Sequence, residues 1–182
     1  MAEITDFSSP LIAELKGFHL FGFDGAPCSQ RVGFALAEKG LRRQMSVQFL
    51  DRSQRSLAST EGHYIMRPVS LIKHENLTPE YAAIHPNKVI PAFVDNGRLW
   101  MESMDIVAHL DATRPGPKLL PEDDETRQLC DALVEQAKQL HKSIRPITFN
   151  WSLGNFAKTD KDLERKVAEQ QPADSPEQLA EF

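Results

Sequence analysis

Two residues of this chain carry a thiol, and the position of one of them suggests chemistry. Cys28 directly follows Pro27, and the residues from there to Lys39 have apolar side chains at helical spacing. A helix would place Cys28 in its first turn, where unpaired N–H groups and the helix dipole stabilise a thiolate. We predict that Cys28 is a nucleophile at neutral pH, whereas Cys130 is a core residue on the apolar stripe of a later helix.

The composition excludes several other kinds of site. Two cysteines are too few for a disulfide framework or a thiolate zinc site, and the six histidines show no metal-ligand spacing, so we expect no metal. With 21 Lys and Arg against 26 Asp and Glu, the net charge of -5 gives no cationic field for nucleic acid. The first 16 residues have three acidic side chains and no long apolar run, which predicts neither a signal peptide nor a membrane helix. We therefore expect a cytoplasmic protein.

The elements that would position Cys28 follow in a regular order. Residues 19–23 have the pattern of a strand, residues 27–39 that of a helix, and residues 44–50 alternate apolar and polar side chains like a second strand. We expect the second strand to run beside the first, which completes a right-handed βαβ unit. Residues 51–76 have no clear period, and we interpret them as an irregular insertion.

The next stretch predicts a β-hairpin followed by a helix. A short helix over residues 78–84 precedes a strand candidate over residues 90–94, and Asn96-Gly97 is a strong hairpin-turn signal before residues 98–101. Ser103 stands where a helix cap is expected, and the helix would end at Arg114.

A proline-rich segment predicts a domain boundary. Residues 114–121 contain three prolines and a glycine, which suits a linker between a first domain over residues 17–113 and a helical domain over residues 122–182. Residues 123–142 have the pattern of an amphipathic helix that starts with acidic side chains.

Three motifs together resemble the glutathione transferase superfamily. They are Gly25-Ala26-Pro27-Cys28-Ser29-Gln30-Arg31-Val32 at the start of a helix, His85-Pro86-Asn87-Lys88-Val89-Ile90-Pro91-Ala92, and Glu102-Ser103 at the start of the next helix. The likeness is nearest to the zeta class and to the tetrachlorohydroquinone reductive dehalogenases. It implies a thioredoxin-like α/β domain (βαβ-α-ββα) followed by an all-α, apparently incomplete, C-terminal domain.

The resemblance also implies how glutathione would bind. The implied ligands are Lys88, Val89, Ile90, Pro91, Glu102 and Ser103. The Ile90–Pro91 bond would be cis, with the backbone of Ile90 free to pair with the cysteinyl part of glutathione. Lys88 would reach the glycyl carboxylate, and Val89 would add a backbone contact. Glu102 and Ser103 would receive the ammonium and carboxylate of the γ-glutamyl group.

The sequence departs from the family at the usual nucleophile position, where it has Ala26. Cys28 instead matches a cysteine two positions later in zeta enzymes and the dehalogenases. This implies a glutathione-dependent thiol transferase, reductase or dehalogenase in which Cys28 forms and releases a mixed disulfide with glutathione. The implied partners are glutathione, a small hydrophobic electrophile in a detoxification reaction, and a second copy in a homodimer.

Two other functions stay open at this point. Ala26 at the nucleophile position is also compatible with a non-catalytic glutathione-binding or interaction module that has kept the fold. A conventional conjugating transferase, in which Ser29 or a backbone group stabilises the glutathione thiolate, is the third reading.

Overall fold

The computed structural model describes residues 9–147, except for the side chains at positions 138, 141 and 145–147. The elements within that span are α1 (Pro10–Glu14), β1 (Phe18–Gly22), α2 (Pro27–Glu38), β2 (Arg42–Met45), α3 (Gln54–Leu57), β3 (His63–Pro68), a 3-10 turn (Glu75–Leu77), α4 (Pro79–Ala82), β4 (Ala92–Asp95), β5 (Arg98–Trp100), α5 (Ser103–Thr113) and α6 (Asp124–Ile147). The predicted helix after Cys28, the hairpin and the helix after it are confirmed, with ends that shift by one or a few residues.

The five strands form one mixed sheet in the order β2-β3-β1-β4-β5. The central strand β1 is parallel to β3 and antiparallel to β4. β2 extends the parallel side, and β5 extends the antiparallel side through the hairpin at Asn96 and Gly97. A mixed sheet with helices packed against it is the thioredoxin-like class that the sequence predicted.

The prediction for residues 51–76 is wrong, because this segment contains the interior strand β3. β3 lies between β1 and β2, so the predicted pairing of β2 with β1 is also wrong. The residues Tyr64 to Met66 are buried on both faces, and His63 and Arg67 flank them. A strand buried on both faces shows no apolar–polar alternation, and its charged ends concealed it further.

The predicted second strand, residues 44–50, is also misplaced along the chain. The observed strand β2 spans Arg42–Met45 and shares only residues 44 and 45 with the prediction. The apolar residues whose alternation predicted a strand over residues 44–50 do not share one buried face. Met45 is 56% exposed and Val47 is 90% exposed. Period-two patterning predicts a strand with one buried face, but Met45 and Val47 lie at the solvent-exposed edge of the sheet, and only Phe49, beyond the end of β2, is buried.

Helices α2 and α5 cover one face of the sheet. Val32 and Leu36 of α2 and Ile106 and Leu110 of α5 are fully buried in one cluster with Leu20 of β1. These residues recur at spacings of four along each helix, which gives each helix a single apolar stripe toward the sheet. This packing fixes the position of both helix starts relative to the end of β1.

The opposite face is covered by α1, α4 and part of the inserted segment. Phe21 of β1 is buried there with Leu11 of α1, Tyr81 of α4 and Phe49. The rings of Phe49 and Tyr81 meet edge to face with centroids 5.7 Å apart.

A fully buried arginine attaches the inserted segment to the sheet. Arg67 of β3 donates from Nη1 to the carbonyl oxygens of Phe49 (2.8 Å) and Asp51 (2.9 Å), and from Nη2 to the carbonyl of Ser56. Burial lowers the pKa of Arg67 to about 10, which leaves it charged at neutral pH. The guanidinium thus acts as the hydrogen-bond donor, in place of water, for carbonyl groups that would otherwise be buried without a donor.

The remaining nitrogen of that guanidinium fixes the state of a buried histidine. Arg67 Nε donates to Nδ1 of His19 at 3.2 Å, so Nδ1 is an acceptor. Nε2 of His19 lies 2.8 Å from the carbonyl oxygen of Lys16 and must carry the proton. Burial lowers the pKa of His19 to about 4, and the charge of Arg67 acts in the same direction. His19 is therefore neutral at neutral pH.

The last described helix, α6, begins with Asp124 and Glu125 in its first turn, as predicted. The chain divides into two compact units between Arg127 and Gln128, within this helix. The predicted helical domain over residues 122–182 lies in part outside the described residues, so its extent stays a prediction. Within residues 9–147, no helix has the length and apolar character needed to cross a membrane.

Candidate functional site

The topology of the sheet brings the predicted site residues to one edge, which is formed by strand ends: the carboxyl ends of β1 and β5 and the amino end of β4. β1 and β4 are antiparallel with Phe21 opposite Ala92, so the end of β1 lies beside the start of β4. β4 and β5 are antiparallel with Phe93 opposite Trp100, so the end of β5 lies at the same edge. α2 follows β1, and α5 follows β5. All seven predicted site residues therefore lie at or next to the strand and helix ends along this edge.

Cys28 is the second residue of α2, as the sequence predicted. The N-cap is Ala26, whose side chain cannot accept a hydrogen bond, and Pro27 has no N–H group. The first helical hydrogen bond runs from the N–H of Gln30 to the carbonyl of Ala26. The Cys28 side chain is half-buried. An uncapped helix start of this kind leaves its first-turn N–H groups available to an anionic sulfur.

Ser29 is part of the helix–strand packing. Its hydroxyl oxygen accepts a hydrogen bond from the N–H of Phe23 at 3.3 Å, and the side chain is buried. A Cβ atom at Gly22 would lie 2.7 Å from that oxygen, so only glycine lets α2 approach β1 this closely. The hydroxyl faces β1, which argues against the reading in which Ser29 stabilises the thiolate of a bound ligand.

A hydrogen bond that sequence reasoning missed connects the two helix starts. Arg31 lies one turn after Cys28, and its Nη1 donates to the hydroxyl oxygen of Ser103 at 2.8 Å. Ser103 is buried and is the first residue of α5. The spacing of three between Cys28 and Arg31 places them on one helix face, but no local sequence pattern indicated the contact with Ser103. The bond brings the first turn of α5 next to the first turn of α2.

The predicted cap of α5 is off by one residue. Glu102, and not Ser103, is the N-cap, and its side chain makes no capping hydrogen bond. The hydroxyl of Ser103 is engaged by Arg31 as an acceptor, so its own proton is free to be donated. Glu102 is exposed. The pair thus presents an exposed carboxylate and an oriented hydroxyl at the start of a helix.

The Ile90–Pro91 peptide bond is cis, as the resemblance implied. Pro91 is buried directly before β4, and Ile90 is half-buried. Among residues 9–147, no hydrogen bond engages the N–H or the C=O of Ile90. These two groups are therefore available to pair with an extended ligand.

The residues before Ile90 are held by the protein itself. Lys88 has a left-handed backbone with φ of 54°, and its carbonyl accepts a hydrogen bond from Nδ2 of Asn76 at 2.8 Å. The carbonyl of Val89 accepts from the hydroxyl of Tyr81 at 2.9 Å. Burial raises the pKa of Tyr81, which keeps this hydroxyl a donor. The backbone of this segment is thus fixed before any ligand arrives.

Two cavities open on the sheet, and neither is lined by a predicted site residue. One, of about 290 Å³, is lined by Gly22, Phe23, Asp24, Arg43, Val47, Gln48, Met66, Pro68, Val69, Ser70, Lys73 and Glu75. The other, of about 420 Å³, lies along β2. No group of three potential metal ligands comes together in the part of the chain that the structure describes.

Relatives with curated names resemble most of this chain. Maleylacetoacetate isomerase of Mus musculus is 30% identical over 131 residues, which cover 70% of this chain and 49% of the relative. Glutathione S-transferase Z2 of Arabidopsis thaliana is 31% identical over 147 residues, which cover 79% of this chain and 54% of the relative. The chain thus spans about half the length of these curated relatives.

The fold has close counterparts among solved structures. The β-etherase LigF from Sphingobium sp. strain SYK-6 superposes with a TM-score of 0.64 at 20% identity, over 88% of this chain and 59% of that chain. At this identity the likeness concerns the fold alone. Residues 20–118, more than half of the chain, match the family described as "Glutathione S-transferase, N-terminal domain". The chain therefore belongs to the glutathione S-transferase family, through its thioredoxin-like domain.

Proposed function

We propose that this protein binds glutathione at the described edge and uses Cys28 as a reactive thiol. The observation that carries the proposal is the Arg31–Ser103 hydrogen bond, which joins the uncapped helix start at Cys28 to the helix start at Glu102 and Ser103. The implied γ-glutamyl position and the thiol then lie on neighbouring helix starts. The unused backbone groups of Ile90 would hold the cysteinyl part between them, and Lys88 would face the glycyl carboxylate.

Ser103 suits the γ-glutamyl carboxylate because its hydroxyl is already oriented. Arg31 donates to the oxygen, so the proton of that hydroxyl is free to point at the ligand. The carboxylate would also meet the first-turn N–H groups of α5. The exposed side chain of Glu102 would pair with the α-ammonium group of the same γ-glutamyl unit.

The chemistry of Cys28 would proceed through a mixed disulfide. A glutathione thiolate first displaces a leaving group from an activated electrophile and forms a thioether. The Cys28 thiolate then attacks the sulfur of that conjugate, the carbon–sulfur bond breaks, and the carbon takes the electron pair and a proton. A second glutathione thiolate attacks the Cys28–glutathione disulfide, which releases oxidised glutathione and restores the Cys28 thiolate.

The test is the site of adduct formation with oxidised glutathione. The Cys28 thiolate should attack one sulfur of the disulfide and release one glutathione, so mass spectrometry of the intact protein and its peptides should find one adduct on Cys28. Cys130→Ser is the matched control and should be modified as fast as the wild type. Cys28→Ser should still bind reduced glutathione but lose thiol exchange with hydroxyethyl disulfide. Unchanged exchange by Cys28→Ser would remove Cys28 from the mechanism.

A second candidate function follows from the name of one relative, maleylacetoacetate isomerase, which is an isomerase in a family of glutathione transferases. A glutathione-dependent isomerase would add the glutathione thiolate to a conjugated double bond, allow rotation about the resulting single bond, and expel the same thiolate. That cycle needs bound glutathione and no protein thiol. Isomerisation of a cis-dienone acid that Cys28→Ser carries out at the wild-type rate would favour this candidate over the first.

A further inference from the structure

The strand β2 forms an exposed edge of the sheet, and the backbone groups on its outer side are open. The N–H groups of Arg42 and Ser46 donate to the carbonyls of Gly62 and Met66 on the β3 side. Because successive residues of a strand point their N–H groups to opposite sides, Arg43 and Met45 present their N–H and C=O groups outward. β2 is the last strand on this side of the sheet.

A groove runs along this edge. Its volume is about 420 Å³, and it is lined by Ala37, Gly40, Leu41, Arg42, Arg43 and Tyr64. Tyr64 belongs to the buried cluster beneath α2, and Arg43 is its register neighbour on β2. The groove therefore lies on the α2 face of the sheet, directly beside the open backbone groups.

The side chains of the edge combine apolar surface with positive charge. Met45 and Val47 are 56% and 90% exposed. Arg43 pairs with Asp24 at 2.8 Å, but the side chains are 37% and 67% exposed, and an exposed pair contributes less than about 1 kcal/mol. In the part of the chain that the structure describes, the guanidinium of Arg42 has no carboxylate partner. β2 has two arginines and no acidic residue in a chain with a net charge of -5.

We propose that β2 is a docking edge for an extended acidic segment of another protein, which adds a sixth strand to the sheet. The segment's backbone would pair with Arg43 and Met45, the mode known as β-augmentation. Its side chains alternate between the two faces of the sheet. Those on the α2 face are apolar and enter the groove beside Leu41 and Tyr64, and those on the opposite face are acidic and reach Arg42.

Charge complementarity favours this partner over a second copy of the chain. In a symmetric antiparallel pair of β2 strands with Arg43 opposite Met45, Arg43 of one copy would lie two positions from Arg43 of the other copy, and a pair centred on Arg43 would place these two residues directly opposite each other. Like charges at neighbouring cross-strand positions destabilise a pair of strands. An acidic strand replaces that repulsion by attraction. The proposal does not depend on glutathione chemistry. The proposed glutathione site lies at the ends of β1, β4 and β5, whereas the docking edge is the outermost strand, β2.

The test uses two fluorescein-labelled peptides with blocked ends, one alternating Glu and Val over eight residues and the other alternating Lys and Val. With the full chain, the acidic peptide should raise fluorescence anisotropy, and it should shift the backbone amide signals of Arg43 and Met45 in NMR spectra. Added salt should weaken the binding. The basic peptide should not bind.

Two variants at one position separate the backbone from the side chain. Met45→Pro removes an outward N–H without touching the β2–β3 ladder and should weaken binding about tenfold. Met45→Ala keeps the N–H and should bind clearly more tightly than Met45→Pro. The proposal fails if both peptides bind alike, if the acidic peptide shifts no β2 amide, if Met45→Pro binds like the wild type, or if sedimentation shows a dimer that Met45→Pro dissociates.

Discussion

At the scale of single residues, Arg31 does the positioning that the proposed glutathione site requires. It joins α2 to α5 through one hydrogen bond of 2.8 Å to Ser103. Arg31→Met should lower the affinity for glutathione at least about tenfold, because Ser103 would lose the charged donor that orients its hydroxyl, and such a hydrogen bond is worth about 1.5–3 kcal/mol. Isothermal titration calorimetry with reduced glutathione measures this effect directly.

The neighbouring residue gives the control for that prediction. Gln30 is exposed, and its Nε2 donates to the carbonyl of Asp24 at 2.8 Å, away from α5. Gln30→Ala should therefore bind glutathione like the wild type. Arg31→Lys should recover part of the affinity if a positive donor near Ser103 is what matters. Wild-type affinity in Arg31→Met would contradict the proposed role.

The same residue shows what a single sequence could reveal about the site. Cys28 was identifiable from its place after Pro27, and the Ile90–Pro91 segment from its motif. The contact between Arg31 and Ser103 joins positions 72 apart and depends on how α2 packs against α5. Local patterns carry no information on such a contact, and they also misplaced the cap of α5, which is Glu102, whereas Ser103 is the first helical residue and accepts from Arg31.

At the scale of elements, a buried ion pair fixes the ends of α2 and α5. Nζ of Lys39 lies 2.7 Å from Oδ1 of Asp111 and also donates to the carbonyl of Pro117. Asp111 in turn accepts from the N–H groups of Leu119 and Leu120. Within the predicted linker, residues 117–120 are thus hydrogen-bonded to the domain that precedes them.

Removing one member of this pair should be strongly destabilising. Asp111→Ala would leave Lys39 buried without a partner and should lower the free energy of unfolding by about 3–5 kcal/mol in urea titrations near neutral pH. Burial alone would raise the pKa of Asp111, but the hydrogen bonds from Lys39, Leu119 and Leu120 outweigh it and lower the pKa. The stabilisation is therefore present above the unfolded-state pKa of about 3.9 and is lost as the pH falls below it.

A solvated pair provides the contrast. Arg43→Met removes the exposed pair with Asp24 and should change the free energy of unfolding by less than about 1 kcal/mol. The double variant Lys39→Met with Asp111→Leu should recover part of the loss, because no buried charge is left alone, although the N–H groups of Leu119 and Leu120 still lose their acceptor. An Asp111→Ala protein as stable as Arg43→Met would show that the buried pair does not hold these elements.

The sequence predicted the helices that bury a single apolar face, but it did not predict the strand within residues 51–76. α2 and α5 each bury one stripe, so their spacing was visible in the sequence. β3 has the opposite character: its middle is buried on both faces, and Arg67 at its end is satisfied by carbonyls of Phe49, Asp51 and Ser56. A charged residue that is buried through distant backbone partners looks like a loop residue in the sequence.

At the scale of the whole molecule, two buried histidines link the stability of the first unit to pH. His19 and His85 are both inaccessible to solvent. Neither ring nitrogen of His85 has a hydrogen-bond partner within residues 9–147, and the ring stacks on Tyr81 with centroids 6.3 Å apart. Burial lowers the pKa of each histidine to about 4. In the unfolded chain both would titrate near about 6.5.

The sign of the effect follows from these values. Because the unfolded state takes up protons first, stability should fall as the pH drops from about 6.5 toward about 4, by about 2 kcal/mol for each histidine at about pH 4.5. His85→Leu removes one of the two contributions together with two unpaired buried nitrogens. Its stability near pH 7 should equal or exceed that of the wild type, and its loss on acidification should be about 2 kcal/mol smaller. Urea titrations of both proteins near pH 7 and at about pH 4.5 measure the difference.

Equal losses of stability in wild type and variant would mean that His85 is not held neutral by burial in the folded protein. His19 would then have to account for the acid sensitivity through its bond with Arg67.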